Sequence, residues 1–527
     1  MPVSLARPHA ILAFWSGCLL VTLGALLHLP MFLMARESGY VLAGMHMDAG
    51  MLAGMALILV GIVLAGYGLL PLKPLAGHVV DVRPSEDAPL NQAHLILMAV
   101  LVAALVVDVM KPASLGFVVP GMAAEYGLSR SVTAWLPFSA LTGTYVGSII
   151  WGTLADAYGR RASILLSTIM FVGTSICGAM PSFWWNVGMC FLMGAAAGGL
   201  LPVVFALLAE TMPAKHRGWS LVMVGGLGAA GGYLAASASS AFFQPLFGWR
   251  IIWFLNIPTG LLLVALSNFI PESPKFLVQI GQVDAARALL SRFGAALIGA
   301  PEAGVCGPGS ARAAPVRPSP ITVVTLSVTG LAWSLMNFGV LLWLPAYLVA
   351  RGQSIEATSK LLAESALLAM PASFIAALLY SRWSTKNTLL TGILVTTGGL
   401  LGIMLIDGAL LGHKLSPVLL VAVLIIGSNT LLAVLLPYTA ELFPAAVRGR
   451  ALGWVSGCTK FGGIFAQGLA LLGRAPAIAI FAVFVALLLF IAGGLVWLFG
   501  AETRGRKLED LEVEAATGPI GDGPVRL

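Results

Sequence analysis

Apolar runs of about twenty residues or more recur along this chain, parted by short polar loops, and no other feature limits its folding so strongly. A run of that length crosses the hydrocarbon core of a bilayer as a helix, because in lipid a helix satisfies its own backbone hydrogen bonds. Two such runs occupy residues 9–34 and 50–72; six follow between 94 and 270, and six more between 321 and 500. The expected architecture is an all-α polytopic membrane protein of fourteen spans, arranged two plus six plus six. The chain is 59% hydrophobic and 10% charged, whereas a soluble domain carries about 25% charged residues. The first run exceeds the ~7–15 apolar residues of a secretory signal core, so residues 1–72 are expected to remain as a transmembrane hairpin.

Polar segments at 73–93 and 271–320 and a tail at 501–527 separate and close the two six-helix bundles, 94–270 and 321–500. Within the second segment, Val283 to Leu297 has amphipathic helical spacing, and 299–320 is rich in Gly, Pro and Ala and is expected to be disordered. The bundles are repeats. Glu210-Thr-Met-Pro213-Ala-Lys-His-Arg217-Gly218 recurs as Glu441-Leu-Phe-Pro444-Ala-Ala-Val-Arg448-Gly449 at an offset of 231, and the same offset carries Gly231-Gly232 onto Gly462-Gly463. Of the 29 Lys and Arg, 20 fall on the side of the loop around Arg160, seven on the other, and Lys111 and Lys460 inside spans. That bias puts both termini in the cytoplasm and reads the net charge of +7 as topology rather than nucleic-acid binding. There is no phosphate-binding loop and no His or Cys cluster with metal-ligand spacing, so neither an enzyme nor a cofactor is expected.

Gly152-Thr-Leu-Ala-Asp156-Ala-Tyr-Gly159-Arg160-Arg161 resembles the signature loop of the major facilitator superfamily, found between that family's second and third helices. Pro271-Glu-Ser-Pro-Lys-Phe-Leu, Gly248-Trp-Arg250 and Glu502-Thr-Arg-Gly-Arg-Lys-Leu-Glu509 are similar to motifs of its branch of sugar porters, organic-ion transporters and synaptic-vesicle-protein-like members. The resemblance implies the major facilitator fold and transport by alternating access, and the leading hairpin lies outside it. It further implies that Gly152, Asp156, Gly159, Arg160, Arg161, Glu210 and Arg217, with Glu441 and Arg448 in the second half, form a cytoplasmic gate. The second half's counterpart of the loop, Ser381 to Asn387, has lost the pattern, so an asymmetric gate is expected. The fifth core helix lacks the proline of the drug-antiporter motif, which weighs against efflux by exchange.

Charges inside the spans mark the candidate site, since each is costly unless paired or wet. Asp108 and Lys111 lie at i, i+3 on one helix face and are expected to pair; Asp108 fits the proton-binding acid that the branch carries in its first helix. The helix-four arginine of that branch is Cys190 here, and Lys111 is expected to replace it. Lys460, beside the second diglycine, is expected to bind an anion, and Glu364 is expected either to bind substrate as well or to pair with Lys460. Tyr145, Trp333, Asn337 and Asn429 are further substrate-binding candidates, and Asn256, Trp343 and Gln467 are weaker lining candidates. The expected function is proton-coupled symport of a small organic anion, a carboxylate, by a monomer in a bacterial inner membrane. The rival readings are sugar or polyol uptake, drug or metabolite efflux, and a non-transporting sensor or scaffold.

Overall fold

The computed structural model describes residues 8–70, 83–84, 88–295, 297–298, 319–409, 416–443 and 445–504. Twelve helices among the described residues are long and apolar enough to cross a membrane. The hairpin is α1 (His9–Met34) and α2 (Ala49–Leu69). The first half comprises α3 (Gln92–Tyr126), α4 (Trp135–Tyr158), α5 (Arg160–Ala179), α6 (Phe183–Thr211), α7 (Lys215–Phe247) and α8 (Ile251–Phe269). The second comprises α9 (Pro320–Ala350), α10 (Ile355–Arg382), α11 (Thr385–Met404), α12 (Pro417–Leu442), α13 (Ala445–Leu471) and α14 (Ile478–Phe499). Helices α4 and α13 are not among the twelve; they face each other across the seam between the halves.

Helix starts follow local chemistry. Asp48 caps α2 by accepting from Met51 N at 2.7 Å, Asn91 caps α3 from Ala93 N at 3.0 Å, and Ser354 caps α10 from Ala357 N at 3.0 Å. The halves meet where α4 packs on α13, α7 on α10 and α12, and α3 on α9. The repeated diglycine has the same task in each half. A Cβ on Gly232 would stand 2.6 Å from Cβ of Val109, and one on Gly462 2.7 Å from the Leu331 carbonyl. Each pair thus lets the first helix of its own half lie close against the fifth, the small-residue packing that substitutes in lipid for a hydrophobic driving force.

The hairpin closes on its own glycines, spaced seven apart. Cβ atoms at Gly17 and Gly24 would collide with the carbonyls of Gly61 and Gly54 at 2.6 and 2.5 Å. It then packs on α5 and α8, where Val21, Ile58, Met31 and Phe32 meet Val172, Ile176, Phe254 and Ile257. Its loop is held by Glu125, at the far end of α3. That carboxylate accepts from Leu42 N (2.9 Å), Ala43 N (3.0 Å), Trp249 Nε1 (2.8 Å) and Arg250 Nη2 (2.7 Å). Arg250 is fully buried and also donates to the Met180 carbonyl at 2.8 Å. The Gly248-Trp-Arg250 motif therefore anchors the hairpin to the first half.

The amphipathic segment expected over Val283 to Leu297 is a helix over Val283–Arg292, with Ala286 and Leu290 buried. The expected disorder at 299–320 lies largely outside the described residues, as do most of 73–93 and residues 505–527.

Candidate functional site

A cavity of about 120 Å3 lies between the halves. The halves touch at both of its ends. On the signature-loop side, a Cβ on Gly218 would stand 3.1 Å from the Tyr380 ring and 3.4 Å from the Glu441 carboxylate. On the far side, the Ser240 and Ser359 hydroxyls are 2.7 Å apart, and the Arg130 guanidinium lies 5.2 Å over the Trp343 ring.

Asp108 enters the cavity wall from a weakened stretch of α3. Pro112 has no N–H to give the Asp108 carbonyl, so the helix loses a bond there. The Asp108 side chain is 8% exposed and lines the cavity. No described group donates a hydrogen bond to its carboxylate. The expected Asp108–Lys111 pair is not made. Lys111 points instead to α5, where Nζ donates to the Phe171 carbonyl (3.0 Å) and the Thr174 hydroxyl (3.2 Å) and sits 3.0 Å from the Phe171 ring centroid. That is where α5 tightens into a 3-10 turn at Thr174–Ala179, leaving carbonyls open to an outside donor. An i, i+3 spacing gives two side chains the same face but does not choose their partners.

From the other half, α9 runs as a π-helix over Met336–Leu341, the kind of bulge that re-aims side chains at functional sites. Asn337 and Phe338 of this segment line the cavity. Trp333, one turn earlier, also lines it and donates its indole N–H to Ser428 O at 3.0 Å. Lys460 of α13 is 7% exposed, lines the cavity and donates to Ser456 Oγ at 3.0 Å. Asn429 completes the predicted residues found in the wall. The arrangement brings one anionic and one cationic side chain, one from each half, to a largely apolar chamber.

Other candidates lie elsewhere. Glu364 is exposed on α10 and does not reach the cavity, which corrects its reading as a substrate or Lys460 partner. Tyr145 sits on the α4–α13 seam against Gly457, and Trp343 donates to Gln467 Oε1 at 3.3 Å on the far side. Asn256 is buried in α8, away from the chamber. Sequence reasoning missed Tyr233, Phe117 and Phe338 in the wall. Tyr233 was within reach, as a polar aromatic directly after the diglycine.

The signature-loop side is built on buried carboxylates. Gly159, at φ 101° and ψ 157°, lies in a region open essentially to glycine alone. A Cβ there would stand 2.6 Å from the Glu272 carboxylate, which accepts from Arg160 N (2.7 Å), Arg161 N (3.2 Å) and Ser273 N (3.0 Å). Glu272 thus caps the positive end of α5. Burial pushes its carboxyl above the usual range against those bonds. Glu210 joins Arg160 Nη2 at 3.4 Å and Ser273 Oγ at 2.5 Å. The second half repeats the plan. Glu441 accepts from Tyr380 Oη (2.7 Å) and Thr503 Oγ1 (2.6 Å), while Glu502 caps α11 through Thr385 N (2.9 Å), Thr385 Oγ1 (2.6 Å) and Ser384 Oγ. Burial opposes ionisation of Glu502, but the bonds from Ser384, Thr385 and Arg504 N hold its carboxyl at about 2. The acceptors match across the halves, and the donor differs: Tyr380 contacts Glu441 where Arg160 contacts Glu210. Gly152 has nothing within 4 Å of its Cβ position. The side chains of Asp156 and Arg448 lie outside the described residues.

Two bundles related as repeats, enclosing a central chamber with charge on both walls, define a secondary transporter. The family model for the Major Facilitator Superfamily matches residues 96–466, and the chain belongs to that family. It is a multi-pass membrane transporter and not an enzyme. Its relatives include the niacin transporter NiaP of Acinetobacter baylyi, 25% identical over 81% of this chain and 98% of that protein. The 4-hydroxybenzoate transporter PcaK of the same organism is 27% identical over 74% of this chain and 87% of its own length. The proton:xylose symporter XylE, solved with 6-bromo-6-deoxy-D-glucose, superposes with a TM-score of 0.64 at 18% identity, covering 80% of this chain and 98% of that one. That likeness establishes the fold.

Proposed function

We propose that this protein carries a small organic anion together with a proton by alternating access, Asp108 taking the proton and Lys460 the carboxylate. One observation carries the reading: the two side chains come from opposite halves and share one apolar chamber. The relatives named for niacin and 4-hydroxybenzoate, both aromatic acids, support the substrate class.

Charge balance supplies the coupling. In the empty carrier, ionised Asp108 offsets Lys460. A proton on Asp108 leaves the charge of Lys460 uncompensated, and the substrate carboxylate then offsets it, so the fully loaded carrier has the same net charge as the empty one. Either ligand alone changes that charge by one unit in a low-dielectric chamber, at a cost of several kcal/mol. Lys111, held on α5, is a constant background in every state. Only empty and doubly loaded forms therefore reorient readily, which makes the symport electroneutral. The rocking breaks the Gly218–Tyr380 contact on one side and the Ser240–Ser359 contact on the other in turn.

This reading also holds the chain as a fourteen-span monomer in a bacterial inner membrane, with both termini and the carboxylate-capped side in the cytoplasm. The test is proton flux into proteoliposomes containing a pH-sensitive dye. Carboxylates, sugars and organic cations are added outside one at a time. Acidification of the lumen by a carboxylate, unchanged when the membrane potential is clamped at different values, is the expected result. Movement of a sugar or a cation in place of every carboxylate tested would overturn it.

A further inference from the structure

The chamber has a second polar pole that the proton and carboxylate sites leave unused. Tyr233 lines it and is 9% exposed, and its hydroxyl is buried without a hydrogen-bond partner among the described residues. Asn429 also lines it, and its amide nitrogen is likewise buried and without a partner among the described residues. Two unsatisfied donors in one wall are unusual, since buried polar groups are nearly always bonded. Each is expensive to leave open.

Both stand on the same wall. Helices α7 and α12 run antiparallel, and a Cβ on Gly225 would lie 3.8 Å from Ala433 Cα. One turn further along each helix brings Ala229 level with Asn429, both in the chamber wall. Tyr233 follows one more turn along α7, about 5.4 Å beyond. Lys460 belongs to the opposite wall: it is one turn from Gly457, whose Cβ would stand 3.4 Å from Tyr145, on the α4–α13 seam. Between the walls the surfaces are aromatic. Phe117 tilts against Tyr233 at 6.0 Å, and Trp333 meets Phe338 edge-on at 5.8 Å.

We propose that Tyr233 and Asn429 form a donor pole that reads a hydrogen-bond acceptor carried on the ring of an aromatic carboxylate, opposite the end held by Lys460. The inference rests on the anion reading above and narrows it. A ring nitrogen or a ring-borne oxygen satisfies the pole. An unsubstituted ring leaves both donors unpaired as they are in the empty chamber, so a ring that carries an acceptor gains a bond that it lacks and is preferred by roughly ten-fold. The flat aromatic surfaces between the poles select a ring over an aliphatic chain.

Binding to the full-length protein in nanodiscs, measured by isothermal titration calorimetry, tests this with benzoate, pyridine-3-carboxylate and 4-hydroxybenzoate. The variants are Tyr233→Phe, Asn429→Leu and Lys460→Gln. Wild type is expected to bind the two acceptor-bearing rings about ten-fold more tightly than benzoate. Tyr233→Phe removes one hydroxyl without changing shape, and it narrows that ratio by weakening those two while sparing benzoate. Asn429→Leu does the same. Lys460→Gln weakens all three alike. Equal affinities in wild type, or a ratio that survives both wall substitutions, overturns the donor pole and leaves carboxylate binding standing. If none of the three binds wild type, the anion reading fails and the donor pole with it.

Discussion

Gly159→Ala is the sharpest test of how the signature-loop side is held. The backbone at φ 101°, ψ 157° is essentially reserved for glycine, and forcing alanine into it costs about 1–3 kcal/mol. The new methyl would also stand 2.6 Å from the Glu272 carboxylate and displace it from Arg160 N and Arg161 N. Losing a bond to a charged acceptor adds about 1.5–3 kcal/mol. At about 2–4 °C per kcal/mol for a unit the size of one half, the sum of about 2.5–6 kcal/mol lowers the melting temperature by roughly 5–24 °C. Gly152→Ala, seven residues earlier in the same motif, is the control. It has open space around its Cβ and lies inside α4, where alanine gains about 0.5–1 kcal/mol over glycine. Differential scanning fluorimetry of the two variants in detergent compares them directly. Equal melting temperatures for Gly159→Ala and wild type, or an equal fall in Gly152→Ala, would refute the argument.

Three further outcomes follow from other contacts. Glu125→Ala leaves Arg250 buried without its carboxylate, a loss of about 3–5 kcal/mol, and frees the loop at Leu42 and Ala43, so limited proteolysis should cut there in the variant and not in wild type. Glu502 is held at about 2, below its ordinary 4.5, so its stabilisation is complete above pH 4.5 and is lost as pH falls toward 2. Melting curves between pH 5 and pH 3 should therefore fall less steeply in Glu502→Gln than in wild type. Ser240→Cys with Ser359→Cys places two thiols where hydroxyls are 2.7 Å apart; oxidation should stop transport and reduction restore it, and unimpaired transport in the oxidised protein would contradict reorientation through this contact.

The fold was legible because its physics is one-dimensional. Run length dictates spans, the offset of 231 exposes the repeat, and the diglycines within it prove to be where each first helix meets its fifth. The hairpin's docking was not read, although glycines seven apart at Gly17 and Gly24 and at Gly54, Gly61 and Gly68 already marked two faces made for close approach. The site was partly legible. Intramembrane charge singled out Asp108 and Lys460, yet rotamer direction sent Lys111 to α5 and left Glu364 outside the chamber, and spacing carries neither fact. Glu272 and Glu502 were seen as family motifs; their work as caps on α5 and α11 needs the chain ends brought together in space.

The central claim is that Asp108 couples a proton to the anion by keeping the chamber's net charge constant. The most direct measurement compares net uptake with exchange of a labelled aromatic carboxylate in proteoliposomes holding Asp108→Asn. A neutral amide permits the anion-loaded form to reorient and leaves Lys460 unbalanced in the empty form, whose return slows by roughly a hundred-fold. The account predicts that exchange persists while proton-driven accumulation is lost. Accumulation at the wild-type level in Asp108→Asn would contradict it.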